Sequence, residues 1–410
     1  MIANIIYYII NNLGMTFSLI GGISTFLIIV YTFKIFKIKL ESPLGITLCV
    51  SIFLNPMMWI LSNRYMPDLM GLCIFIIAFY YLMIKDPLKG GFFTGILFGT
   101  RLSFFPLLLL PSFYLIIKSK KNKYYLFSLI MGISIWLLPM IWLTGFENLI
   151  NVASKHTIGH FNEYGGTIIT ESNWVNRMKL FFHTIWSDGL GGFWFERSKL
   201  TLLLSILYIP LLIFGTKAFL RLIRKNEKVK ILFYSIIIYI IWILLFQNII
   251  YKSRHVLPIV YFIILILSLG INFKNKRHRK KISSYLIVVF TTLGLITINL
   301  VSQHKNHTAI SQIKEFLITN HSMKTIVSIP LVNYYLKFNG VKANFINIEN
   351  ESDLSNINES ELNNNFIVIG NFKYYFDNRY KIFYERLFYH NPYVNRMWSE
   401  IEFYEFKNEE

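Results

Sequence analysis

Five ionisable residues stand inside or at the ends of strongly apolar stretches of this chain. Arg64 and Asp68 flank a short turn, Arg101 interrupts a long apolar segment, and Arg254 and His255 lie in a short turn between two apolar runs. Charged groups next to hydrocarbon are costly unless they pair or line a polar cavity. A carboxylate can act as a general base, while guanidinium and imidazole groups can bind phosphate. These five residues are therefore the candidate site residues.

Most of these candidates also have a structural interpretation. Asp68 follows Pro67 at the start of a predicted helix, where a carboxylate is a good capping group. Arg101 fits an ion pair inside the protein as well as a phosphate site. Lys252, in the same turn as Arg254, fits a side chain that extends its ammonium group to the membrane surface. The sequence leaves these alternatives open.

The composition excludes an ordinary soluble domain. Hydrophobic residues make up 54% of the 410 residues and charged residues only 15%, which is more apolar surface than one core can bury. The formal net charge of +19 comes largely from basic clusters beside apolar runs, so anionic lipid headgroups explain it better than nucleic acid does. We therefore expect a multi-pass protein of a bacterial inner membrane that contacts lipid and no nucleic acid.

The basic clusters fall at alternate ends of the apolar stretches, which gives the chain a predicted orientation. The positive-inside rule assigns such clusters to the cytoplasm. The long loop 145–199 and the tail after residue 303 are then predicted to lie outside. The clusters are found at 34–39, 85–89, 118–123, 217–230 and 274–281.

About eight apolar stretches are long enough to be predicted as full membrane spans. The segment Gly90–Ile117 differs, because basic clusters flank both ends and glycine and proline residues interrupt it. It is predicted as two short helices that enter the membrane and return, with Arg101 near their turn. The predicted full spans are Leu13–Phe33, Leu44–Ser62, Pro67–Ile84, Tyr124–Thr144, Leu200–Thr216, Ile231–Ile250, Val256–Ile271 and Ile282–Val301.

The change to a polar composition after residue 303 divides the chain into a multi-span domain, 1–303, and a small extracytoplasmic α/β domain, 304–410. β-Branched and apolar runs predict the strands, and longer aromatic or amphipathic runs predict the helices. The predicted strands are 324–330, 341–348, 366–370 and an edge strand at 401–406, and the predicted helices are 332–338 and 372–389.

Metal and nucleotide chemistry have little support in the sequence. His156, His160 and Glu163 have a metal-ligand spacing only on a helix, and nearby glycines argue against a regular helix there. The glycine-rich loops that bind nucleotide phosphates do not occur. Cys49 and Cys73 lie in apolar runs and predict neither a disulfide nor a metal thiolate. No metal ligand is assigned, and a divalent cation stays open as a cofactor.

Three motifs, taken in order, resemble the polytopic glycosyltransferases that use lipid-linked sugars, the GT-C superfamily that includes protein mannosyltransferases and aminoarabinose transferases. A final outward α/β domain is a further similarity. The motifs are NPMMW at 55–59 with RYMPDL at 64–69, then GILFGTRLSFFP at 95–106, then RHVLP at 254–258.

The resemblance implies that an acceptor hydroxyl attacks the anomeric carbon of a sugar carried on a polyprenyl phosphate, on the outer side of the membrane. Asp68 would be the catalytic base, with Glu163 and Glu171 as weaker candidates for the carboxylate. The residues implied to bind the phosphate are Arg64, Arg101, Arg254 and His255.

One departure from the family concerns the N-terminal region. In the family an outward-running helix and an acidic loop come first, whereas no carboxylate precedes Leu13 here. The resemblance therefore implies either a missing leading segment or a non-catalytic relative. The competing functions are a glycan polymerase or ligase, which also acts on lipid-linked sugar, and a lipid or polysaccharide flippase or transporter. Transporters commonly show paired broken helices in internal repeats, and only one broken segment is found.

Overall fold

A computed structural model of the chain describes residues 2–63, 66–119, 122–163, 166–195, 197–248, 252–271, 279–320, 324–348, 353, 357, 362 and 365–407. The chain divides into two compact units, Met1–Val301 and Ser302–Glu410. The division falls within two residues of the predicted boundary at 303.

The first unit is helical throughout most of its described length. Apolar runs form its helices, and several begin at a polar capping residue followed by proline, as at Asn55-Pro56 and Asp86-Pro87. The helices are α1 (Ile2–Ile10), α2 (Leu13–Phe36), α3 (Pro43–Phe53), α4 (Pro56–Ser62), α5 (Asp68–Met83), α6 (Pro87–Arg101), α7 (Pro106–Ser119), α8 (Asn122–Thr144), α9 (Phe146–Asn162), α10 (Trp174–His183), α11 (Lys199–Lys225), α12 (Glu227–Phe246), α13 (Leu257–Leu269) and α14 (Arg279–Ser302).

Five of these helices, α2, α8, α11, α12 and α14, are long and apolar enough to cross a membrane. The pair α3 and α4, bent by 55°, could serve as a sixth span. The predicted number of eight is not confirmed, because α5 and α13 are shorter than the roughly 20 residues that a bilayer core requires. The apolar helices are consistent with a multi-pass membrane protein.

The segment that contains Arg101 is broken where the sequence predicts a break. Helix α6 ends at Arg101, a single 3₁₀ turn covers Leu102–Phe104, and α7 begins at Pro106. The backbone leaves helical geometry at Arg101, with φ −154° and ψ 82°, whereas Phe105, directly before Pro106, keeps helical angles. The break places Arg101 at the end of a helix.

Glycines bring α6 and α8 into backbone contact. A Cβ added at Gly95 would lie 2.4 Å from the carbonyl oxygen of Leu129, and one at Gly132 would lie 2.3 Å from that of Phe92. Small residues spaced four apart allow such close packing between membrane helices. This contact fixes the helix whose last residue is Arg101.

The loop predicted at 145–199 is mostly helical. Helix α9 continues through His156 and His160, so the expectation that glycine would prevent a regular helix there was wrong; one glycine inside a helix costs only about 1 kcal/mol. In α10 the fully buried Arg177 donates hydrogen bonds to the carbonyls of Gly166 and Leu244. Arg177 thereby attaches the loop to the C-terminal turn of α12, where carbonyl groups lack helical partners.

The second unit is an α/β domain with a five-stranded sheet, in the order β2-β1-β3-β5-β4 among the described residues. The three strands β1 to β3 are parallel, and β5 pairs antiparallel with both β3 and β4. Apolar side chains pack on both faces of the sheet. The elements are α15 (Ala309–Asn320), β1 (Thr325–Ser328), α16 (Pro330–Phe338), β2 (Asn344–Asn347), β3 (Asn365–Ile369), β4 (Lys381–Tyr389) and β5 (Glu400–Lys407).

Two predictions for this unit were wrong. The segment 372–389 is helical only at Lys373–Phe376, and most of its remainder is the strand β4. The strand at 401–406 lies inside the sheet, between β3 and β4, and the edge strands of the described sheet are β2 and β4. Aromatic side chains fit the surface of a sheet as well as a helix, and here Tyr384 stacks on Phe316 of α15, with ring centroids 5.6 Å apart.

Candidate functional site

Asp68 is the first residue of α5, and its side chain is fully buried. The N-cap residue is Pro67, and no side chain caps the helix. The capping interpretation therefore does not explain this carboxylate. Its negative charge still lies at the positive end of the helix dipole, which stabilises it.

Arg101 pairs with this carboxylate across the break between α6 and α7. Its Nη2 atom lies 2.9 Å from Asp68 Oδ1, and its side chain is only 15% exposed. Gly71, one turn along α5 from Asp68, permits the approach, because a Cβ at this position would lie 2.7 Å from Cβ of Arg101. The guanidinium carbon also lies 5.8 Å from the ring centroid of Phe104. The ion-pair interpretation of Arg101 thus has a direct structural basis.

Arg254 approaches the same carboxylate oxygen from a different part of the chain. It lies in a 3₁₀ turn, Ser253–Val256, that leads into α13. Its Nε atom is 4.0 Å from Asp68 Oδ1, and Nη1 donates to the sulfur of Met66 at 3.2 Å. The structure therefore brings Arg101 and Arg254 to one carboxylate, although they lie 153 positions apart in the sequence.

His255 is buried beside Arg101. Nη2 of Arg101 lies 3.4 Å from His255 Nδ1, and a guanidinium group can only donate, so Nδ1 accepts and the imidazole is neutral with its proton on Nε2. The hydroxyl of Tyr239 donates to the backbone carbonyl of His255 at 2.8 Å. Tyr239 in α12 thereby holds the turn that carries Arg254.

Lys252 adds a third positive charge to this group. Burial lowers the pKa of Lys252 below its ordinary value, and repulsion from Arg254 and Arg101 lowers it further. We call Asp68, Arg101, Lys252, Arg254 and His255 the Asp68 cluster. Its described members carry three cationic groups, one carboxylate and a neutral histidine, so two positive charges are left without a matching anion inside the cluster.

The cluster has unused hydrogen-bonding capacity. Asp68 Oδ2 and the Nε atoms of Arg101 and Arg254 are buried without a hydrogen-bond partner among the described residues, and Asp68 Oδ1 has only its ion-pair contacts with the two arginines. Buried charged groups in proteins normally satisfy most of their hydrogen bonds. The excess positive charge and these free donors together fit an anion such as a phosphate group.

An apolar cavity of about 340 Å³ lies next to the cluster. Pro67 and Leu69, on either side of Asp68, line it, as does Thr100, which precedes Arg101. Its remaining wall includes residues of α1, α2, α4, α5, α6 and α8, among them Trp136 of α8. A ligand with an anionic head beside an apolar chain would match the positively charged cluster and the apolar cavity wall.

The other predicted site residues do not join the cluster in the described part of the chain. Arg64 lies outside the described residues. Glu163 is exposed at the C-terminus of α9, and Glu171 accepts a hydrogen bond from the N–H of Asn173 in the long loop. His160 contacts the carbonyl of Phe246 at 2.8 Å. Among the described residues, no group of three or more His, Cys, Asp or Glu could hold a metal ion.

Two contributors to the cluster were missed in the sequence. Gly71 gives a usable signal, because it lies three residues after Asp68 and therefore on the same face of the helix. Tyr239 gives none, because it is one of several aromatic residues in an apolar run. Its role depends on the packing of α12 against the turn before α13.

No protein-family model, curated protein or solved structure matches this chain. The chemistry of the Asp68 cluster must therefore be argued from its own geometry.

Proposed function

We propose that the chain is a membrane glycosyltransferase that moves a hexosyl or pentosyl group from a polyprenyl-phosphate donor to an acceptor hydroxyl. The proposal rests on one observation, the buried carboxylate Asp68 in contact with two arginines in a cluster with excess positive charge. The neighbouring apolar cavity supports a donor that joins a phosphate to a hydrocarbon chain. The motif resemblance described above points to the same chemistry.

In the proposed reaction each group has one role. The acceptor hydroxyl attacks the anomeric carbon, and a carboxylate oxygen of Asp68 takes the hydroxyl proton. The bond between the anomeric carbon and the phosphate oxygen breaks, and the polyprenyl phosphate leaves with the electron pair. Arg101 and Arg254 stabilise the negative charge that develops on this phosphate. Lys252 contributes further positive charge, and neutral His255 orients Arg101 through Nδ1.

We place this reaction on the outer side of a bacterial inner membrane, together with the second unit. The alternation of the basic clusters along the chain supports this orientation. Asp68 and Arg254 then lie at helix ends remote from those clusters, toward the side from which an extracytoplasmic acceptor would approach.

The direct test is transfer of radiolabelled sugar by the full chain in proteoliposomes. The probes are polyprenyl-phosphate mannose, galactose and arabinose, and the acceptors are added oligosaccharides, a lipid extract and water. Asp68→Asn should lower transfer about 10²–10⁴-fold, the usual contribution of a general base. Arg101→Gln should weaken donor binding as well as transfer.

Asp188→Asn is the matched control, because Asp188 forms a comparable ion pair with Arg197, at 2.8 Å, outside the Asp68 cluster. It should retain transfer once corrected for the amount of folded protein. Full transfer by Asp68→Asn would exclude this carboxylate as the base. Movement of intact donor across the bilayer without cleavage would instead identify a flippase.

A further inference from the structure

The second unit contains a cavity of its own, of about 440 Å³. This volume lies within the range of about 300–1,000 Å³ that is usual for small-molecule sites. Four aromatic residues contribute to its wall, together with a few neutral polar residues. The aromatic residues are Tyr334, Tyr335, Phe338 and Trp398, and the polar residues are Thr308, Asn395 and His390.

His390 gives the cavity an incompletely paired donor. Its side chain is buried, and Nδ1 accepts the backbone N–H of Ala309 at the start of α15, at 3.0 Å. Burial lowers the pKa of His390, and a backbone hydrogen-bond contact with Asn395 acts in the opposite direction. The neutral ring carries its proton on Nε2, and the contact with Asn395 does not reach the geometry of a formed hydrogen bond, so this buried atom is incompletely paired. A buried donor left unpaired is unfavourable, and a ligand acceptor that paired with it would remove that cost.

Two aromatic side chains of α16 are largely exposed. Tyr334 and Phe338 are 68% and 79% exposed, and their rings are nearly parallel, with centroids 6.1 Å apart. The face of an aromatic ring carries partial negative charge and attracts partially positive C–H groups. A strip of two such rings suits a flat ligand that presents C–H groups on one face.

We propose that this cavity binds a neutral sugar unit of a saccharide. A pyranose ring has a C–H face that can stack on Tyr334 and Phe338, and hydroxyl oxygens that can accept the Nε2–H of His390. None of the lining residues carries a formal charge when His390 is neutral, so the lining favours neither an anionic nor a cationic ligand. A lipid chain would cover the aromatic rings but leave the histidine donor incompletely paired. The inference goes beyond the proposed transfer reaction, because the binding it describes requires no lipid-linked donor.

The test is saturation-transfer NMR on the full chain in lipid nanodiscs. The probes are maltose, cellobiose, mannobiose and N,N′-diacetylchitobiose, each added without any lipid-linked sugar. We expect saturation of the ring C–H protons of at least one of them. Phe338→Ser should weaken that binding about three- to tenfold through the lost stacking contact. Phe383→Ser is the matched control, because Phe383 is also an exposed phenylalanine, on β4 away from the cavity.

His390→Asn tests the donor separately. The asparagine oxygen can replace Nδ1 as the acceptor for Ala309, while the Nε2–H donor is lost, so we expect a three- to tenfold loss of affinity in a folded protein. Absence of saturation with all four disaccharides would overturn the proposal. So would binding that neither Phe338→Ser nor His390→Asn changes, or lipid acyl protons that contact Trp398 in place of sugar. Asp68→Asn should retain saccharide binding, which separates a failure here from a failure of the proposed transfer.

Discussion

Replacing Asp68 by asparagine should distinguish an anion site from a purely structural ion pair. At an effective dielectric constant of about 20, unit charges 2.9 Å apart attract by about 6 kcal/mol and charges 4.0 Å apart by about 4 kcal/mol. Desolvation and the repulsion between Arg101 and Arg254 offset much of this attraction. Removing one partner of a buried pair typically costs about 3–5 kcal/mol, and we expect Asp68→Asn to lower the free energy of unfolding by that amount.

A phosphate ligand should recover part of this loss. The variant leaves two buried guanidinium groups without their carboxylate, so a polyprenyl phosphodiester should bind the variant more tightly than it binds the parent. A ligand present at 100 times its dissociation constant stabilises the folded state by about 2.7 kcal/mol. The assay is unfolding by SDS in mixed micelles, with and without polyprenyl phosphodiester, followed by circular dichroism. The stabilisation by ligand should be larger for Asp68→Asn than for the parent.

The pair formed by Asp188 and Arg197 supplies the comparison, because its N–O distance of 2.8 Å is almost the same. Asp188→Asn should also destabilise the protein, but the phosphodiester should stabilise this variant no more than it stabilises the parent. Equal stabilisation of all three proteins would refute the reasoning, because it would mean that the ligand does not interact with the charges around Asp68. If Asp68→Asn were as stable as the parent, the expected contribution of the ion pair to the free energy of unfolding would also be refuted.

Three further predictions concern the approach of Arg101 to Asp68, the charge of Lys252 and the orientation of the chain in the membrane. Gly71→Ala should lower the rate of sugar transfer about 10- to 100-fold, because the new Cβ would displace Arg101. Gly22→Ala should not lower it, because a Cβ added at Gly22 would have no other atom within 4 Å. The sugar-transfer rates of the two variants test this prediction. Binding of a phosphodiester, whose charge is constant between pH 7 and 10, should weaken as the pH rises through the lowered pKa of Lys252. Lys252→Arg should move this loss of binding to higher pH. Equilibrium binding across the pH range tests both expectations, and pH-independent binding by the parent would contradict them. Alkaline phosphatase fused after Phe406 should be active, whereas a fusion at Lys280, in the basic cluster 274–281, should be inactive, and the reverse result would overturn the orientation.

The sequence predicted the long apolar helices of the first unit, because an apolar run and a capping residue act locally, but it missed α1 and the helices α9 and α10 of the long loop. Asn55 illustrates this, since its side chain accepts the N–H of Met58 and starts α4 where proline follows. The lengths of the helices were predicted less well. Hydropathy continues across the break between α3 and α4, and it does not reveal that the backbone bends there by 55°. The predicted number of spans therefore exceeded the number of helices long enough to span.

In the second unit, tertiary contacts decided the segment that was predicted wrongly. The run at 372–389 is rich in aromatic residues, and such a run fits helical and strand periods about equally well. Antiparallel pairing with β5 and packing of Phe388 into the core select the strand. β1 and β3 were easier, because a short β-branched run that is buried on both faces is typical of a central parallel strand.

The residues of the candidate site were predictable, and so was the convergence of Arg101 and Arg254, because an unpaired guanidinium group beside hydrocarbon is costly. That Asp68 is the anion they share was not predictable. The cost of placing charge beside hydrocarbon singles out Asp68, Arg101 and Arg254 from the sequence alone. No local feature of the sequence predicts that the start of α5 meets the end of α6 and the turn before α13. That meeting depends on the packing of α6 against α8 through Gly95 and Gly132, which is a long-range property of the fold.

The two interpretations of Arg101, an ion pair and a phosphate site, are compatible in the proposed reaction. Asp68 and a donor phosphate are both anions, and they compete for the same guanidinium groups. When a phosphate engages Arg101 and Arg254, it weakens their hold on the carboxylate and leaves the Asp68 oxygens available to accept the proton of an acceptor hydroxyl. Without donor, the arginines hold the carboxylate in the ion pair seen here. In this scheme the ion pair stabilises the empty site, and donor binding converts it into the catalytic arrangement.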